Sequence, residues 1–245
     1  IALLIQAYFW IFIFNQIENK NTTSVKKNEK KVSVVICALN EEKNLKKLIP
    51  AILNQKYENF ELIIINDRST DNTLQLLKSI NNERFDFINI KRTPPGFDHK
   101  KYALQEGIKK ASNDYILLTD ADCLPNSPLW ISEMTQGLTD KKQIALGISF
   151  YNRTKSLLNH FIQFETYYTA LQYIGFAQAG HPYMGVGRNL LYKKTQFMNN
   201  IQFDSIKTHI GGDDDLLLQQ FLTKSNVLTS INQNAQTSSI PKKTV

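Results

Sequence analysis

The feature that most constrains the fold is an alternation of continuous apolar runs with helical patterns. The runs at residues 32–38 and 61–67 are rich in Val, Ile and Leu, which is typical of buried strands. Residues 85–90 predict a third strand, and residues 115–122 predict a strand that leads directly into carboxylates. The first two runs are each followed by an amphipathic helical pattern. The apolar positions of these patterns are Leu45, Leu48, Ile49, Ile52 and Leu53, and then Leu74, Leu77 and Ile80. Strand followed by helix, repeated, predicts an α/β fold with a parallel sheet.

Polar side chains stand where three of the predicted strands end. Asn40 follows the first run, Asp67 ends the second, and Asp120 lies at the end of the fourth. In open α/β sheets, ligands bind beyond the carboxyl ends of the strands. We therefore expect these three residues to line one crevice.

The strongest single motif is Asp120-Ala121-Asp122, which follows an apolar strand. Side chains two residues apart in an extended segment point to the same side, so the two carboxylates can share a hard divalent cation. Such a cation would neutralise a bound diphosphate. The alternative is a capping turn, because short motifs of this kind also occur by chance.

A second candidate segment is Asn-Asp-Arg-Ser-Thr-Asp at residues 66–71. Asp67 leaves a strand end that faces the predicted crevice, where a carboxylate can accept hydrogen bonds from a base or a ribose. Ser69 or Asp71 is placed to cap the next helix. We therefore predict a ligand contact for Asp67 and a structural role for Asp71.

A third candidate is the acidic cluster in Gly-Gly-Asp-Asp-Asp-Leu, residues 211–216, which precedes a helical pattern. Adjacent carboxylates repel one another, so one of Asp213, Asp214 and Asp215 can have a raised pKa and act as a general base on an acceptor hydroxyl. The alternative is an acidic helix N-terminus favoured by the helix dipole.

The chain opens with an apolar, aromatic-rich run at residues 1–17, slightly shorter than the about 20 residues that span a bilayer. A basic cluster follows the run, which is unlike a cleavable signal peptide. We interpret residues 1–17 as a truncated transmembrane helix, 18–31 as a basic juxtamembrane linker and 32–245 as the folded catalytic domain, on the cytoplasmic side. An amphipathic or buried helix is the alternative for the run.

The second half of the chain gives weaker patterns. Residues 143–150 predict a strand, and residues 157–178 have the length of a helix that carries many aromatic side chains. An aromatic load of this kind predicts core packing, with an interfacial helix on a bilayer surface as the second interpretation. Residues 185–189 predict a tight loop that enters a strand, and residues 231–245 are interpreted as a polar tail.

Composition limits the partners. The formal net charge of +7 suits phosphate-rich ligands or an anionic membrane surface. Cys37 and Cys123 lack metal-ligand spacing, which argues against a disulfide framework and a structural zinc site. The sequence has no Walker A loop, no G-x-G-x-x-G after a strand and no G-x-S-x-G elbow. We expect no nucleic acid partner.

The motifs, taken in order, resemble those of family 2 glycosyltransferases, which have the GT-A fold. VVICALNEEKNL resembles the opening of that family, and NQKYENFELIIINDRSTDNT resembles the segment that holds the donor nucleotide. GFDHKKYALQEGIKKASNDYILLTDADCLP resembles the stretch that leads to the metal-binding motif. GVGRNLLYKK and GGDDDLLL resemble the later glycine segment and the acidic motif that supplies the base. The resemblance extends from about Val32 to about Ser230.

The resemblance implies a Rossmann-like, mostly parallel sheet with helices on both faces. It also implies an inverting displacement, in which a carboxylate deprotonates an acceptor hydroxyl that attacks the anomeric carbon of a nucleotide sugar, with a UDP-sugar favoured. The acceptor would be a saccharide or a lipid, in cell-surface polysaccharide or glycolipid synthesis at a membrane.

The resemblance further implies the site residues. Mg²⁺ or Mn²⁺ would bind at Asp120 and Asp122. The base would be Asp213 if the motif is aligned by counting back from Leu216, or Asp214 if it is aligned by counting forward from Gly212. The donor contacts implied are Ala38, Asn40, Glu41, Asp67, Lys100, Asp120 and Ala121. Of these, Asn40 and Asp67 would lie at the nucleobase and Lys100 near the nucleotide.

Two departures from the family pattern stand beside the resemblance. Asn66 replaces a commonly acidic residue, and no Q-x-x-R-W segment follows the acidic motif, which leaves processivity open.

Two other functions compete with glycosyl transfer. A haloacid-dehalogenase-type phosphatase would use Asp120 as its nucleophile, although that family expects Thr or Val where this chain has Leu124. The second competing function is that of a catalytically inactive, membrane-tethered nucleotide-binding module.

Overall fold

The computed structural model of the chain describes residues 2–18, 30–196, 218 and 222–241. The helices are α1 (Ala2–Tyr8), α2 (Glu42–Leu53), α3 (Thr73–Ser79), α4 (His99–Lys110), α5 (Trp130–Thr135) and α6 (Leu157–Gln178). The strands are β1 (Val32–Ala38), β2 (Phe60–Asp67), β3 (Phe85–Ile90), β4 (Tyr115–Leu118), β5 (Cys123–Pro125), β6 (Ile144–Gly147), β7 (Ser149–Tyr151), β8 (Leu190–Lys193), β9 (Val227–Ser230) and β10 (Thr237–Ser239).

Seven strands form one large sheet in the order β3-β2-β1-β4-β8-β6-β9. β1 runs parallel to β2 and β4, β2 runs parallel to β3, and β6 runs parallel to β9. Among the described strands of the large sheet, only β8 is antiparallel to its neighbours, which are β4 and β6. The predicted mostly parallel sheet is therefore confirmed. The short strands β5, β10 and β7 form a second sheet in that order.

Helices cover both faces of the large sheet because side chains alternate along its central strands. Along β1, Val34 and Ile36 pack in one core with α2 and α5, whereas Val35 packs in a second core with α4 and α6. Each core contains fully buried side chains, such as Trp130 in the first and Ile108 in the second. Burial on both faces explains why the strand runs are continuously apolar.

The predicted strand at residues 143–150 was wrong as a single element. It is divided into β6 and β7, which lie in different sheets. Ile148 lies between the two strands, and its carbonyl binds partners from other parts of the chain. This carbonyl accepts hydrogen bonds from Nδ2 of Asn189 at 2.8 Å and from the backbone N–H of Thr237 at 3.2 Å. These two distant partners fix the break, so the local sequence does not reveal it.

Much of the stretch interpreted as a polar tail is part of the fold. A 3₁₀ turn at Gln233–Ala235 leads into β10, which lies between β5 and β7 in the second sheet. Ala235, Thr237 and Ser239 are fully buried. The prediction failed because Thr-Ser-Ser has no apolar pattern, and pairing with two neighbours stabilises the strand instead.

The N-terminal segment consists of three consecutive short helical pieces, of which the second and third pack against α6. These pieces are α1, a π-helical turn at Phe9–Ile13 and a 3₁₀ turn at Phe14–Gln16. Gly175 permits the close approach, because a Cβ at this position would lie 3.1 Å from Cδ1 of Phe14. The rings of Phe9 and Phe176 lie 5.7 Å apart. Among the described residues, no helix combines the length and the apolar character that crossing a membrane requires.

Candidate active site

Asp120 and Asp122 lie on a turn just beyond the carboxyl end of β4. The backbone N–H of Cys123 closes this turn by donating to the carbonyl of Asp120 at 3.1 Å. The strand ends at Leu118, so the expectation of an extended Asp-Ala-Asp segment was wrong. The turn still brings the side chains together, because the ligand atoms of Asp120, Asp122 and Cys123 all lie within 4.8 Å of one another.

Two side-chain contacts orient Asp122. The hydroxyl of Ser239 donates to its Oδ2 at 2.8 Å, and the thiol of Cys123 lies 3.4 Å from its Oδ1. Ser239 and Cys123 are themselves paired across the β10–β5 ladder. The second sheet therefore sets the orientation of Asp122, while each carboxylate oxygen keeps lone-pair capacity for a cation.

The donor set at this turn fits a hard divalent cation. Burial, with added effects of the Asp122 and Asp120 charges, raises the pKa of the Cys123 thiol to about 12. The thiol is therefore protonated at neutral pH, and the carboxylate oxygens are the available ligands. Mg²⁺ and Mn²⁺ prefer such oxygens and keep water or substrate oxygens in their shell. The Asp120 side chain is 35% exposed, so solvent and substrate can reach it.

Lys100 brings a positive charge to the same turn. Its Nζ lies 3.2 Å from Oδ1 of Asp120, and half of its side chain is exposed. It stands in the first turn of α4, whose N-cap is Asp98, with its carboxylate accepting from the N–H of Lys101 at 3.1 Å. A cation at the partly positive end of a helix is suited to an anionic ligand.

The loops that follow β1 and β2 are joined by hydrogen bonds from Asn40. Its Oδ1 accepts from the N–H groups of Thr70 at 2.7 Å and Asp71 at 3.3 Å. Its own N–H donates to Oγ of Ser69 at 2.9 Å. Asn40 has a φ of 59°, in the left-handed region that Asn tolerates better than most residues. Asp71, rather than Asn40, accepts from the N–H of Glu42 at the start of α2, at 3.2 Å.

Asp71 serves both neighbouring helices. Besides its bond to the first turn of α2, it accepts from the N–H of Thr73 at the start of α3 at 2.9 Å. Burial alone would raise the pKa of Asp71, but the hydrogen bonds from Thr73 and Glu42 outweigh it and hold the pKa below its usual range. This geometry accords with the structural role that the sequence suggests.

Asp67 is a buried carboxylate at the end of β2. It accepts from Nε of Arg68 at 2.8 Å and from Nη2 at 3.1 Å. The guanidinium balances the buried charge, and the carboxylate retains capacity to accept a further hydrogen bond. Asn66, immediately before it, is also buried and donates from Nδ2 to Oδ1 of Asn89 at 2.7 Å.

Electrostatic coupling links the loop after β1 to the acidic turn. Burial raises the pKa of Glu41, and the charges of Asp122 and Asp120 raise it further. The loop after β1 therefore lies within electrostatic range of the turn that carries Asp120 and Asp122. Ala38 at the end of β1 and Ala121 between the two aspartates are buried in the core that contains α2 and α5.

Arg188 borders the site, and the sequence did not indicate a role for it. Its carbonyl accepts from Oγ1 of Thr119 at 3.0 Å and from Oγ1 of Thr237 at 3.3 Å, which ties its 3₁₀ turn to the end of β4. Its Cζ lies 4.6 Å from the ring centre of Tyr151. Within the described part of the chain, its buried Nη1 has no hydrogen-bond partner. The only sequence signal was a lone arginine before a strand.

The carboxylates predicted as the base lie outside the described residues. Neither Asp213 nor Asp214 has a described position. Leu218, which follows them, is buried in the core that contains α6. The structure therefore places Lys100 beside Asp120 and joins the loops that follow β1 and β2 through Asn40. The choice of base stays a prediction.

These features define an α/β protein with a polar ligand site beyond the carboxyl ends of its parallel strands. Residues 33–199 match the family model described as glycosyl transferase family 2. This match covers more than half of the chain, and the chain therefore belongs to glycosyl transferase family 2.

Two curated relatives show the extent of the sequence similarity. The chain is 32% identical over 143 residues to the probable glycosyltransferase YdaM of Bacillus subtilis (strain 168), covering 56% of this chain and 34% of that protein. It is 36% identical over 94 residues to the poly-beta-1,6-N-acetyl-D-glucosamine synthase of Staphylococcus aureus (strain COL), covering 38% of this chain and 22% of that protein. The alignments thus span about a third or less of these relatives.

Solved structures share the fold. A mannosyltransferase from Pyrobaculum calidifontis, in complex with GDP-Man and Mn²⁺, matches with a TM-score of 0.71 at 14% identity and covers 97% of this chain and 65% of that chain. S. aureus TarS 1-349, in complex with UDP-GlcNAc, matches with a TM-score of 0.57 at 15% identity and covers 88% of this chain and 60% of that chain. The predicted GT-A-like α/β architecture is confirmed.

Proposed function

We propose that the chain transfers a sugar from a nucleotide diphosphate donor to a hydroxyl of a saccharide or lipid, with inversion at the anomeric carbon. The observation that carries this proposal is the turn after β4, where two carboxylates lie side by side and Lys100 lies 3.2 Å from Asp120. In a family 2 chain, this arrangement suits a diphosphate bound through a cation.

The residues of the turn divide the work of holding the diphosphate. Mg²⁺ or Mn²⁺, held by Asp120 and Asp122, would stabilise the negative charge that develops on the leaving diphosphate. Lys100 provides a second cation for phosphate oxygens. Ser239 would orient Asp122 for cation binding, because its hydroxyl donates a hydrogen bond to Oδ2 of that carboxylate.

The loops after β1 and β2 suit the nucleoside. Asp67 supplies a buried acceptor at the end of β2, and Asn40 locks the two loops together. We favour a UDP-sugar donor. The S. aureus relative is named as an N-acetyl-D-glucosamine polymer synthase and one structural neighbour contains UDP-GlcNAc, which supports this choice. Because another structural neighbour contains GDP-Man, a GDP-sugar is the alternative donor to test.

The acceptor side would use Asp213 or Asp214. One of these carboxylates takes the proton of the acceptor hydroxyl. The hydroxyl oxygen of the acceptor then bonds to the anomeric carbon as the bond between that carbon and the diphosphate breaks. The N-terminal segment would hold the catalytic domain at the cytoplasmic face of a membrane, where cell-surface polysaccharide or glycolipid is made. No nucleic acid takes part in this scheme.

A donor assay tests the proposal. We expect the purified chain to release nucleotide from UDP-sugars, in preference to GDP-sugars, only with Mn²⁺ or Mg²⁺, and Asp122→Ala to abolish release without loss of the circular dichroism spectrum. Asp140→Ala is the matched control, because Asp140 is exposed in a surface turn. Unchanged turnover in Asp122→Ala would remove the metal role. Donor binding without sugar release or transfer would indicate an inactive module, and a trapped acyl phosphate on Asp120 would indicate a phosphatase.

A further inference from the structure

A stripe of large apolar side chains lies exposed along the first half of α6. Leu157, Phe161, Phe164 and Tyr168 are 90%, 65%, 65% and 41% exposed, and their spacing places them on one helical face. Tyr167, which is 57% exposed, borders the stripe. The rings of Phe164 and Tyr168 stack with centroids 6.0 Å apart. A contiguous exposed apolar patch marks a site of interaction rather than ordinary surface.

The last third of the same helix has a different environment. There, Gly175 and Phe176 are covered by the N-terminal segment, through contacts with Phe14 and Phe9. That segment in turn exposes its own large apolar side chains. These are Leu3, Leu4, Tyr8, Trp10, Ile11 and Phe12, which are each between 53% and 80% exposed. Two exposed apolar surfaces therefore adjoin along α6.

We propose that the aromatic face of α6, which we define as Leu157, Phe161, Phe164, Tyr167 and Tyr168, docks on the lipid and water interface of an anionic bilayer. Phe, Tyr and Trp with a few aliphatic residues are the composition that such interfaces favour. The proposal extends the membrane attachment proposed above. It rests on a separate part of the chain, so the two can fail independently.

Charge supports a lipid surface as the occupant. Arg153 and Lys155 are exposed immediately before α6, where they can reach headgroups beside the aromatic face. Within α6, Glu165 is the only acidic residue, and the chain carries a formal charge of +7. Basic residues beside an apolar helical face strengthen binding to anionic lipids.

The face also has a short connection to the site. The side chain of Gln163 in α6 donates to the carbonyl of Tyr151 in β7. β7 pairs with β10, whose Ser239 holds Asp122. A membrane-docked α6 would therefore keep the donor site close to the headgroup region, which suits a membrane-borne acceptor.

Vesicle co-sedimentation of the full chain tests the proposal. We expect stronger binding to phosphatidylcholine vesicles that contain phosphatidylglycerol than to phosphatidylcholine alone. The double variant Phe161→Ser, Phe164→Ser should lower the partition coefficient at least about tenfold, since two exposed aromatic side chains lose their contact with lipid. The double variant Leu39→Ser, Ile240→Ser is the control, because both residues are 50% exposed and lie outside the face.

Two further measurements separate the outcomes. Nucleotide release from the donor, measured without lipid, should be unchanged in the Phe161→Ser, Phe164→Ser variant, so a failure of the proposed activity is distinguishable from a failure of docking. Sedimentation velocity reports self-association. The proposal is overturned if the variant binds vesicles as well as the parent, or if it changes the oligomeric state instead. It is also overturned if Trp10→Ser, Phe12→Ser alone removes all binding.

Discussion

The hydroxyl of Ser239 donates a hydrogen bond of 2.8 Å to Oδ2 of Asp122, although 117 residues separate them in the chain. Asp122 belongs to the most recognisable motif of the sequence, whereas Ser239 belongs to a segment without any pattern. Ser239 is fully buried, so its hydroxyl has a fixed position. The orientation of the second carboxylate therefore depends on correct pairing of β10 with β5.

Ser239→Ala should weaken the response to the metal. Partners that orient a metal ligand are typically worth about 10-fold to 100-fold in affinity, so we expect the Mn²⁺ concentration for half-maximal nucleotide release to rise at least about tenfold. Ser238→Ala is the control, because Ser238 is on the same strand but donates to Oδ1 of Asn126 at 2.6 Å. Equal metal dependence in the two variants would contradict the orienting role.

The same strand shows what the sequence could not predict. The bounds of β3 and α6 agree with the sequence patterns, because continuous burial and helical length are local properties. β10 and the break between β6 and β7 depend on partners far away in the chain. In the site, Asp120 and Asp122 form a motif that the sequence reveals. Ser239 and Arg188 were missed, because each is a single residue that reaches the site only through contacts made in the folded chain.

Lys100→Met should weaken donor binding. Its ammonium lies 3.2 Å from Oδ1 of Asp120, and a charge-assisted bond to a phosphate typically contributes about 1.5–3 kcal/mol. Because the exposed position reduces this value, we expect the KM for the nucleotide sugar to rise by about 5-fold to 30-fold. Steady-state kinetics at saturating Mn²⁺ measure this effect.

Lys109→Met provides the matched control for that experiment. Lys109 lies on the same helix, and its Nζ pairs with Glu106 at 2.9 Å on the surface. Its replacement should leave the KM unchanged. A similar rise in both variants would show that general charge, rather than the position of Lys100, attracts the donor.

The two cysteines should differ in reactivity. Burial, strengthened by the charges of Asp122 and Asp120, raises the pKa of Cys123 to about 12, so at pH 8 its thiolate fraction is about 10⁻⁴. The thiolate forms only as the pH rises towards that pKa. We expect iodoacetamide at pH 8 to modify the partly exposed Cys37 well before Cys123, as measured by peptide mass spectrometry. Urea should equalise the rates, and equal labelling of the folded chain would contradict the buried, protonated state of Cys123.

Asn189→Ala should be among the most destabilising single changes near the site. Asn189 is fully buried, and its Nδ2 donates to the carbonyls of Ile148 at 2.8 Å and Ala235 at 2.7 Å. Its Oδ1 accepts from Nε1 of Trp130 at 3.0 Å. The alanine leaves the Ala235 carbonyl and the Nε1–H of Trp130 without these partners, at about 1–3 kcal/mol for each group left unsatisfied. The Ile148 carbonyl keeps its hydrogen bond from the backbone N–H of Thr237. We expect a loss of about 2–5 kcal/mol in the free energy of unfolding.

Urea unfolding followed by tryptophan fluorescence measures this loss, and Asn72→Ala is the control. Asn72 is exposed, and its side chain makes one long contact of 3.4 Å with Glu42, so the control should change stability by no more than about 0.5 kcal/mol. Asn189 connects α5, the break after β6 and the turn before β10, which are the parts that place Arg188 and Ser239. The variant should therefore lose metal-dependent nucleotide release at urea concentrations below its global unfolding midpoint. A variant as stable as Asn72→Ala would show that these elements are held together by packing alone.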